Sequence, residues 1–385
     1  MRSNISILLV TVGALVMTVS WPSKAQQTMR IGASTSITGR DNVQGGYVRD
    51  GYALCEQQVN GKGGVLGRPI EFLIRDDGSD PKTAVGIYEQ LITQDKVDAV
   101  MGPYGSAVTE AVADVTEKYH KLMVAPAAGS TSIWEKGRKY LVMVLSPLET
   151  STAGTIDLAT RNGLKTIAVI NVDTLPAKAV ANGALDLARK KGLQVVLHES
   201  YPAGTTDFSD LLGKVKAANP DVLVVNYTPA EVIAMTRQMS ELGVHVKMLS
   251  ATPGGGFPEY SKALGKTAEL VFAGSYWDPE LAYPGNQAFV AAYQKEFKRD
   301  PSFLSSASYA GCQLFVEGVR RAGTLDSDKV RQELLKLKTK TVFGDFAVDE
   351  RGFQIGHKAI TLQWQDGKKI VVWPDQAAAG KPRFH

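Results

Sequence analysis

The chain has 385 residues, of which 44% are hydrophobic and 21% are charged, and its formal net charge is +4. This length predicts two or three domains, each large enough for its own hydrophobic core. The charge is small and forms no basic run or tail, which argues against nucleic acid as a partner.

The first 25 residues have the pattern of a secretory signal peptide. Arg2 gives the positive start, and residues 5–19 form an apolar stretch that is too short for a typical membrane span. Residues 23–25 place small side chains where cleavage requires them. We therefore expect a mature chain that begins at Gln26 and is exported, with an uncleaved anchor as the alternative.

From residue 29 onward, short apolar runs alternate with helical patterns. Strands are predicted at 29–33, 70–75, 97–101, 122–125, 142–145, 166–171, 194–200, 222–226, 247–249 and 271–275. Helices are predicted at 47–60, from 80, from 106, and at 151–162, 177–191, 208–218, 230–242, 286–298, 308–321 and 327–337. This alternation is typical of parallel, doubly wound sheets. Since the strands are too many for one open sheet, we predict two α/β lobes.

The last segment differs, because residues 359–365 and 370–373 form two strands around Asp366-Gly367, the pattern of an antiparallel hairpin. No low-complexity linker separates the lobes. The chain is expected to cross between them at 146–147, 274–275 and 341–345. The predicted N-terminal lobe is then 26–146 with 275–343, and the C-terminal lobe is 147–274 with 344–385.

Residues 97–121 combine a buried strand, a Gly/Pro turn and an amphipathic helix that opens at Ser106. A serine at the N-cap places its hydroxyl beside the unpaired N–H groups and the positive dipole end of the helix, which suits an anion. The alternative is that Ser106 only caps its own helix.

Cys55 and Cys312 both fall on apolar stripes of predicted helices, so they are interpreted as small core residues. In an exported protein a disulfide between them is the alternative, which spacing alone does not decide. The five histidines are scattered, and no Gly-x-Ser-x-Gly, His-Glu-x-x-His or Cys-x-x-Cys motif occurs. We expect no catalytic residue, no metal and no cofactor.

Several segments resemble the solute-binding proteins of bacterial ABC importers of the leucine/isoleucine/valine type. They are N-G-K-G-G-V-L-G-R-P-I-E-F at 60–72, R-D-D-G-S-D-P-K-T-A at 75–84, the turn at 101–106, P-A-A at 126–128 and G-T-T-D-F-S at 204–209. The resemblance covers nearly the whole predicted mature chain. It implies the type I periplasmic binding fold: two lobes joined by three hinge crossings, with the ligand in the cleft between them.

The resemblance also implies where a carboxylate would bind. In the leucine-binding relatives a serine at the position of Ser106 and the backbone at the positions of Ala127 and Gly129 hold the ligand's α-carboxylate. Gly129 replaces a threonine of those relatives, and Ser130 or Thr131 could supply the missing hydroxyl.

In the leucine-binding relatives a glutamate of the second lobe pairs with the ammonium group of the ligand, and this glutamate is not kept here. Their glutamate corresponds by gap-free counting to Thr252, and no acidic residue lies between Glu241 and Glu259. An unpaired ammonium group in a closed cleft would cost several kcal/mol. Either the ligand lacks an α-amino group, or an acidic residue from another loop, such as Asp173, takes this role.

Three tyrosines of the relatives correspond here to Gln44, to about Pro176 with Leu175 next to it, and to Thr228 beside Tyr227. Tyr104, Tyr227 and Trp277 remain as aromatic candidates for the cleft wall, with lobe packing as the alternative for each of them.

The resemblance thus implies the extracytoplasmic solute-binding component of an ABC importer, which delivers a branched-chain-type amino acid or a related small carboxylate to a membrane permease. The alternatives are a ligand-occupancy sensor for a membrane receptor, and an aromatic or aliphatic acid without an α-amino group as the ligand. We expect a monomer.

Overall fold

The computed structural model describes residues 27–384, so the predicted signal peptide lies outside the described residues. The first lobe is built on β1 Met29–Thr35, β2 Ile70–Asp76, β3 Ala99–Met101, β4 Met123–Ala125 and β5 Leu141–Met143, with helices α1 Asn42–Asn60, α2 Pro81–Thr93 and α3 Ser106–Lys118. These strands form one sheet in the order β2-β1-β3-β4-β5, and all neighbouring pairs are parallel.

The second lobe begins after two short 3₁₀ segments, Thr131–Lys136 and Leu148–Thr150. Its elements are α4 Ala153–Arg161, β6 Thr166–Val172, α5 Leu175–Lys190, β7 Gln194–Tyr201, α6 Ser209–Ala218, β8 Val222–Asn226, α7 Pro229–Glu241, β9 Met248–Ala251, α8 Pro258–Leu264 and β10 Phe272–Ser275. Helix α7 begins with a capping box between Thr228 and Glu231, a common start signal.

The chain then returns to the first lobe through α9 Asn286–Phe297, α10 Phe303–Ala322 and α11 Ser327–Lys336, followed by the small hairpin of β11 Thr339–Thr341 and β12 Gly344–Phe346. Helix α10 lies along α1, and the two helices are joined by a disulfide between Cys55 and Cys312 with a Cα–Cα distance of 6.3 Å. Both cysteines are buried, but the interpretation of them as unbonded core residues is wrong and the disulfide alternative is confirmed.

Two last strands, β13 Ile360–Gln365 and β14 Lys368–Trp373, complete the second sheet, whose order is β14-β13-β10-β9-β8-β6-β7. The β13–β14 pair is antiparallel, and its turn residues Asp366 and Gly367 have φ values of 52° and 75°, as a type I′ turn requires. The predicted hairpin and the α/β fold with two parallel-sheet lobes are confirmed. No helix within residues 27–384 is long and apolar enough to cross a membrane.

The segment between β12 and β13 packs on the first lobe. Phe353 belongs to the same hydrophobic cluster as Trp134, and the N–H of Met143 donates to the carbonyl of Gly352 at 2.8 Å. The predicted lobe boundaries stay a prediction, but this packing leads us to propose that the third crossing lies at residues 358–359 rather than at 341–345.

Candidate ligand-binding cleft

The two lobes are closed on each other across the carboxyl ends of their parallel strands, where open α/β sheets usually bind ligands. One hydrophobic cluster continues from Tyr104, Ala127 and Phe303 of the first lobe to Val180 and Phe257 of the second. The cleft between the lobes is therefore narrow and largely apolar.

A small cavity with room for about one water molecule remains inside this closed cleft. It is lined by Gln44, Tyr104, Ala127, Leu145, Leu148, Tyr227, Thr228, Pro229, Pro253, Phe257, Tyr276, Phe303 and Leu304. Five of these side chains are aromatic. Among the residues that the structure describes, no acidic or basic side chain lines the cavity.

Three phenols line the cavity, and burial raises the pKa of each above its ordinary value of 10. The phenols of Tyr104 and Tyr227 also interact with each other, one from each lobe. The hydroxyl of Tyr276 is buried and has no hydrogen-bond partner within residues 27–384. All three phenols stay neutral at physiological pH, so they can donate hydrogen bonds to a bound oxygen.

Ser106 connects the start of α3 to the loop after β4. Its Oγ accepts hydrogen bonds from the backbone N–H groups of Gly129 and Ser130, each at 3.3 Å, and the residue is 1% exposed. Helix α3 begins at Ser106, and the N-cap is Gly105 with a φ of 88°, so the prediction of Ser106 as the N-cap is wrong by one residue. The Oγ of Ser130 is buried and has no partner in the described part of the chain.

The structure brings Gln44, Tyr104, Ala127 and Tyr227 together around the cavity, as the sequence analysis proposed for them. Ser106, Gly129 and Ser130 lie side by side in the loop that continues from Ala127, although they are not among the lining residues. Their contact with a ligand stays a prediction.

Thr252 and Leu175 lie elsewhere. The Oγ1 of Thr252 accepts from the backbone N–H of Gly274 at 2.8 Å and lies 2.9 Å from the Oγ of Ser250, so this hydroxyl links β9 to β10. Leu175 is the first residue of α5. The structure places neither residue in the cavity wall, where Pro253 is the nearest neighbour of Thr252 in sequence.

Sequence reasoning missed Phe257, Tyr276 and Phe303, and it counted Trp277 as a candidate. Tyr276 directly follows the carboxyl end of β10, a signal that could have found it. Trp277 instead donates its indole N–H to Asn286 and to the carbonyl of Val342, so it has a structural role.

The acidic residues near the cavity already have partners. Glu231 accepts from the backbone N–H and hydroxyl of Thr228, and Asp41 pairs with Arg40 at 3.3 Å. Asp173, the suggested substitute for the missing glutamate, is exposed and pairs with Lys178 on the surface. Within the described part of the chain, the cavity therefore offers hydroxyl and aromatic groups, but no counter-ion for an ammonium group.

Two α/β lobes that close over a small internal cavity define a solute-binding protein of the two-lobed type. The model of the periplasmic binding protein family matches residues 28–369, and the chain belongs to this family. The predicted family is thus confirmed.

Individual relatives are distant but align over most of their length. The chain is 26% identical over 384 residues to the Leu/Ile/Val-binding protein homolog 7 of Brucella abortus, covering 94% of this chain and 95% of that protein. Its fold is similar to a leucine-binding protein of Thermotoga maritima, with a TM-score of 0.82, 23% identity and coverage of 89% and 97%. A solute-binding protein of Rhodopseudomonas palustris in complex with 3,4-dihydroxybenzoic acid gives a TM-score of 0.80, 24% identity and coverage of 89% and 95%.

Proposed function

We propose that the protein is the extracytoplasmic solute-binding component of an ABC importer, and that its cleft closes over a small carboxylate with an aromatic or apolar body and no α-amino group. The observation that carries this proposal is the cavity wall, to which residues 27–384 contribute five aromatic side chains and no acidic residue. Burying an ammonium group there without a counter-ion would cost several kcal/mol.

The same wall supports recognition of an acid. Within residues 27–384 the phenol of Tyr276 in the wall has no hydrogen-bond partner, and neither has the buried hydroxyl of Ser130 in the neighbouring loop, outside the wall. Each could donate a hydrogen bond to a carboxylate oxygen, and hydrogen bonds to a charged group contribute about 1.5–3 kcal/mol each. The rings would pack on the ligand body.

The relatives support the biological role. The family and the named relatives are binding proteins, and the relative from Rhodopseudomonas palustris holds an aromatic acid while others are named for branched-chain amino acids. We infer reversible binding without turnover, export to the periplasm, action as a monomer, and delivery to a membrane permease.

The proposal is tested by matched ligands that differ only in the amino group. The protein is unfolded, dialysed, refolded and screened by thermal shift against benzoate, 3-phenylpropanoate with phenylalanine, and 4-methylpentanoate with leucine. At ligand concentrations of 100 times Kd, binding adds about 2.7 kcal/mol to the free energy of unfolding, which is readily seen as a shift in Tm.

We expect a deaminated acid to raise Tm and its amino-acid counterpart to leave it unchanged, with calorimetry giving Kd for the best acid. A shift for leucine or phenylalanine that exceeds the shift for the matching acid would refute this ligand class, and would favour the branched-chain amino acid instead.

A further inference from the structure

A hydrogen bond joins the two lobes outside the cavity. The hydroxyl of Tyr47, on α1 of the first lobe, donates to Oε1 of Glu259, on α8 of the second lobe, at 2.9 Å. The ring of Tyr47 also lies 6.0 Å from the ring of Phe257, measured between centroids. Neither Tyr47 nor Glu259 lines the cavity, so this contact needs no ligand.

Tyr47 is held in place by its own lobe. The guanidinium carbon of Arg299 lies 4.1 Å from the centre of the Tyr47 ring, a cation–π contact. Arg299 is fixed in turn by Asp50, whose Oδ2 accepts from Arg299 at 2.7 Å and from the hydroxyl of Tyr293 at 3.1 Å. Since Asp50 is 2% exposed, the phenol of Tyr47 is presented to the second lobe from a fixed support.

Glu259 depends on this one donor. Its other oxygen, Oε2, is buried and has no hydrogen-bond partner in residues 27–384. Without the Tyr47 hydroxyl, the half-buried carboxylate would keep no donor from residues 27–384 while the lobes are closed, which is costly for a charged group. Opening the lobes would return the carboxylate to water, so the loss would appear in the equilibrium between open and closed forms and not in unfolding.

We propose that the Tyr47–Glu259 pair is a latch that populates the closed arrangement in the ligand-free protein and so helps to set ligand affinity. The link to affinity rests on the proposed function, because lobe closure is the ligand-binding step only if the protein is a solute-binding component. A protein that binds only when closed gains affinity in proportion to its closed population.

The test compares Tyr47→Phe with Tyr119→Phe. Tyr119 also donates to a glutamate, Glu89, at 2.6 Å, but both residues lie in the first lobe. Dyes are attached to cysteines introduced at Lys82 and Asp210, which are exposed near the cleft-side starts of α2 and α6. The native cysteines are in a disulfide and do not take the dye.

Single-molecule energy transfer then gives the closed-to-open ratio of each ligand-free variant. We expect Tyr47→Phe to lower this ratio about 10- to 100-fold and to leave Tm unchanged, while Tyr119→Phe leaves the ratio unchanged. Glu259→Ala should also shift the ratio, and the double variant with Tyr47→Phe should shift it by less than the product of the two single effects.

No closed population in the wild-type protein, equal effects of the two tyrosine variants, or independent effects in the double variant would each overturn the latch. Since the measurement uses no ligand, its outcome does not depend on the ligand class. A wrong ligand class and a wrong latch are therefore distinguishable.

Discussion

Two buried backbone N–H groups, those of Gly129 and Ser130, converge on the hydroxyl of Ser106. Replacing Ser106 with alanine removes both acceptor contacts and leaves these donors without partners in a site where water is excluded. We expect Ser106→Ala to lower the free energy of unfolding by about 1–3 kcal/mol, measured by urea denaturation, and to weaken ligand binding because the loop after Ala127 loses its anchor.

Ser308 offers a matched control. It is also a fully buried serine near the start of a helix, but its Oγ has no partner within the described residues. Ser308→Ala should therefore cost nothing or slightly stabilise the protein. Equal losses for the two variants would mean that the hydrogen bonds of Ser106 contribute nothing specific.

At this scale the sequence predicted part of the site. Tyr104 and Ala127 follow strand ends of the first sheet and Tyr227 follows β8, so strand patterning and the family resemblance together located them. Thr252 lies outside the cavity wall because its hydroxyl bonds the neighbouring strand, which gap-free counting cannot show. Phe303 was missed because its contact with the cavity depends on how the lobes close, which no local pattern records.

At the scale of elements, the disulfide joins α1 and α10 across a sequence separation of 257 residues. A crosslink over so long a loop restricts the unfolded chain strongly, and loss of a native disulfide typically costs about 2–5 kcal/mol. We expect dithiothreitol to lower the Tm of the wild-type protein, as measured by differential scanning fluorimetry.

The double variant Cys55→Ser with Cys312→Ser is the control for this measurement. It should have the lower Tm already in the absence of reductant, and dithiothreitol should not change it further. A wild-type Tm that is insensitive to the reductant under unfolding conditions would contradict the expected contribution of the bond.

Most helices and strands were predicted to within a few residues, because apolar periodicity and capping residues mark them. Helix α10 was predicted from residue 308 but begins at Phe303. Its first turns carry buried serines instead of an apolar stripe, since α1 approaches closely there: a Cβ on Gly51 would lie 2.4 Å from the carbonyl oxygen of Ser305. Small polar residues fill this close approach between α1 and α10, and a search for the helical period of apolar residues does not detect them.

At the scale of the whole molecule, His357 lies just before the crossing between the lobes that we propose at residues 358–359. Its Nδ1 is 3.0 Å from the Oγ of Ser146 and its Nε2 is 3.0 Å from the carbonyl oxygen of Phe343. Burial lowers the pKa of the imidazole from 6.5 to about 4. The ring is therefore neutral in the folded protein under conditions where the unfolded chain already binds a proton.

This difference predicts a pH dependence of stability. Above pH 6.5 the ring is neutral in both states, and its titration does not change the free energy of unfolding. As the pH falls from 6.5 to about 4, the unfolded chain binds a proton that the folded protein does not, and the free energy of unfolding falls by about 3 kcal/mol in total. We expect His357→Gln to reduce the loss in free energy of unfolding between pH 7 and pH 4, measured by urea denaturation at each pH. The difference in the free energy of unfolding between the wild-type protein and His357→Gln at pH 7 gives the packing cost of the substitution. Equal pH profiles of the two proteins would refute the assignment of this pH dependence to His357.

The two-lobe organisation was predictable because strand–helix alternation repeats through residues 29–275. The family resemblance, and not this alternation, implied how the chain connects the two lobes. The path of residues 347–357 was not predictable. This segment has neither the period of a helix nor that of a strand, and it is held by single contacts such as the hydrogen bond between Gln354 and the carbonyl of Val144 at 3.0 Å.

The contact between β5 and Gly352 has a consequence for biosynthesis. A side chain at residue 352 would lie 2.2 Å from the carbonyl oxygen of Leu141, so only glycine fits against this strand. The first lobe therefore lacks one of its packed segments until residue 352 has left the ribosome. A chain that cannot complete its first lobe early stays unfolded for longer, which agrees with the export that we propose for this protein.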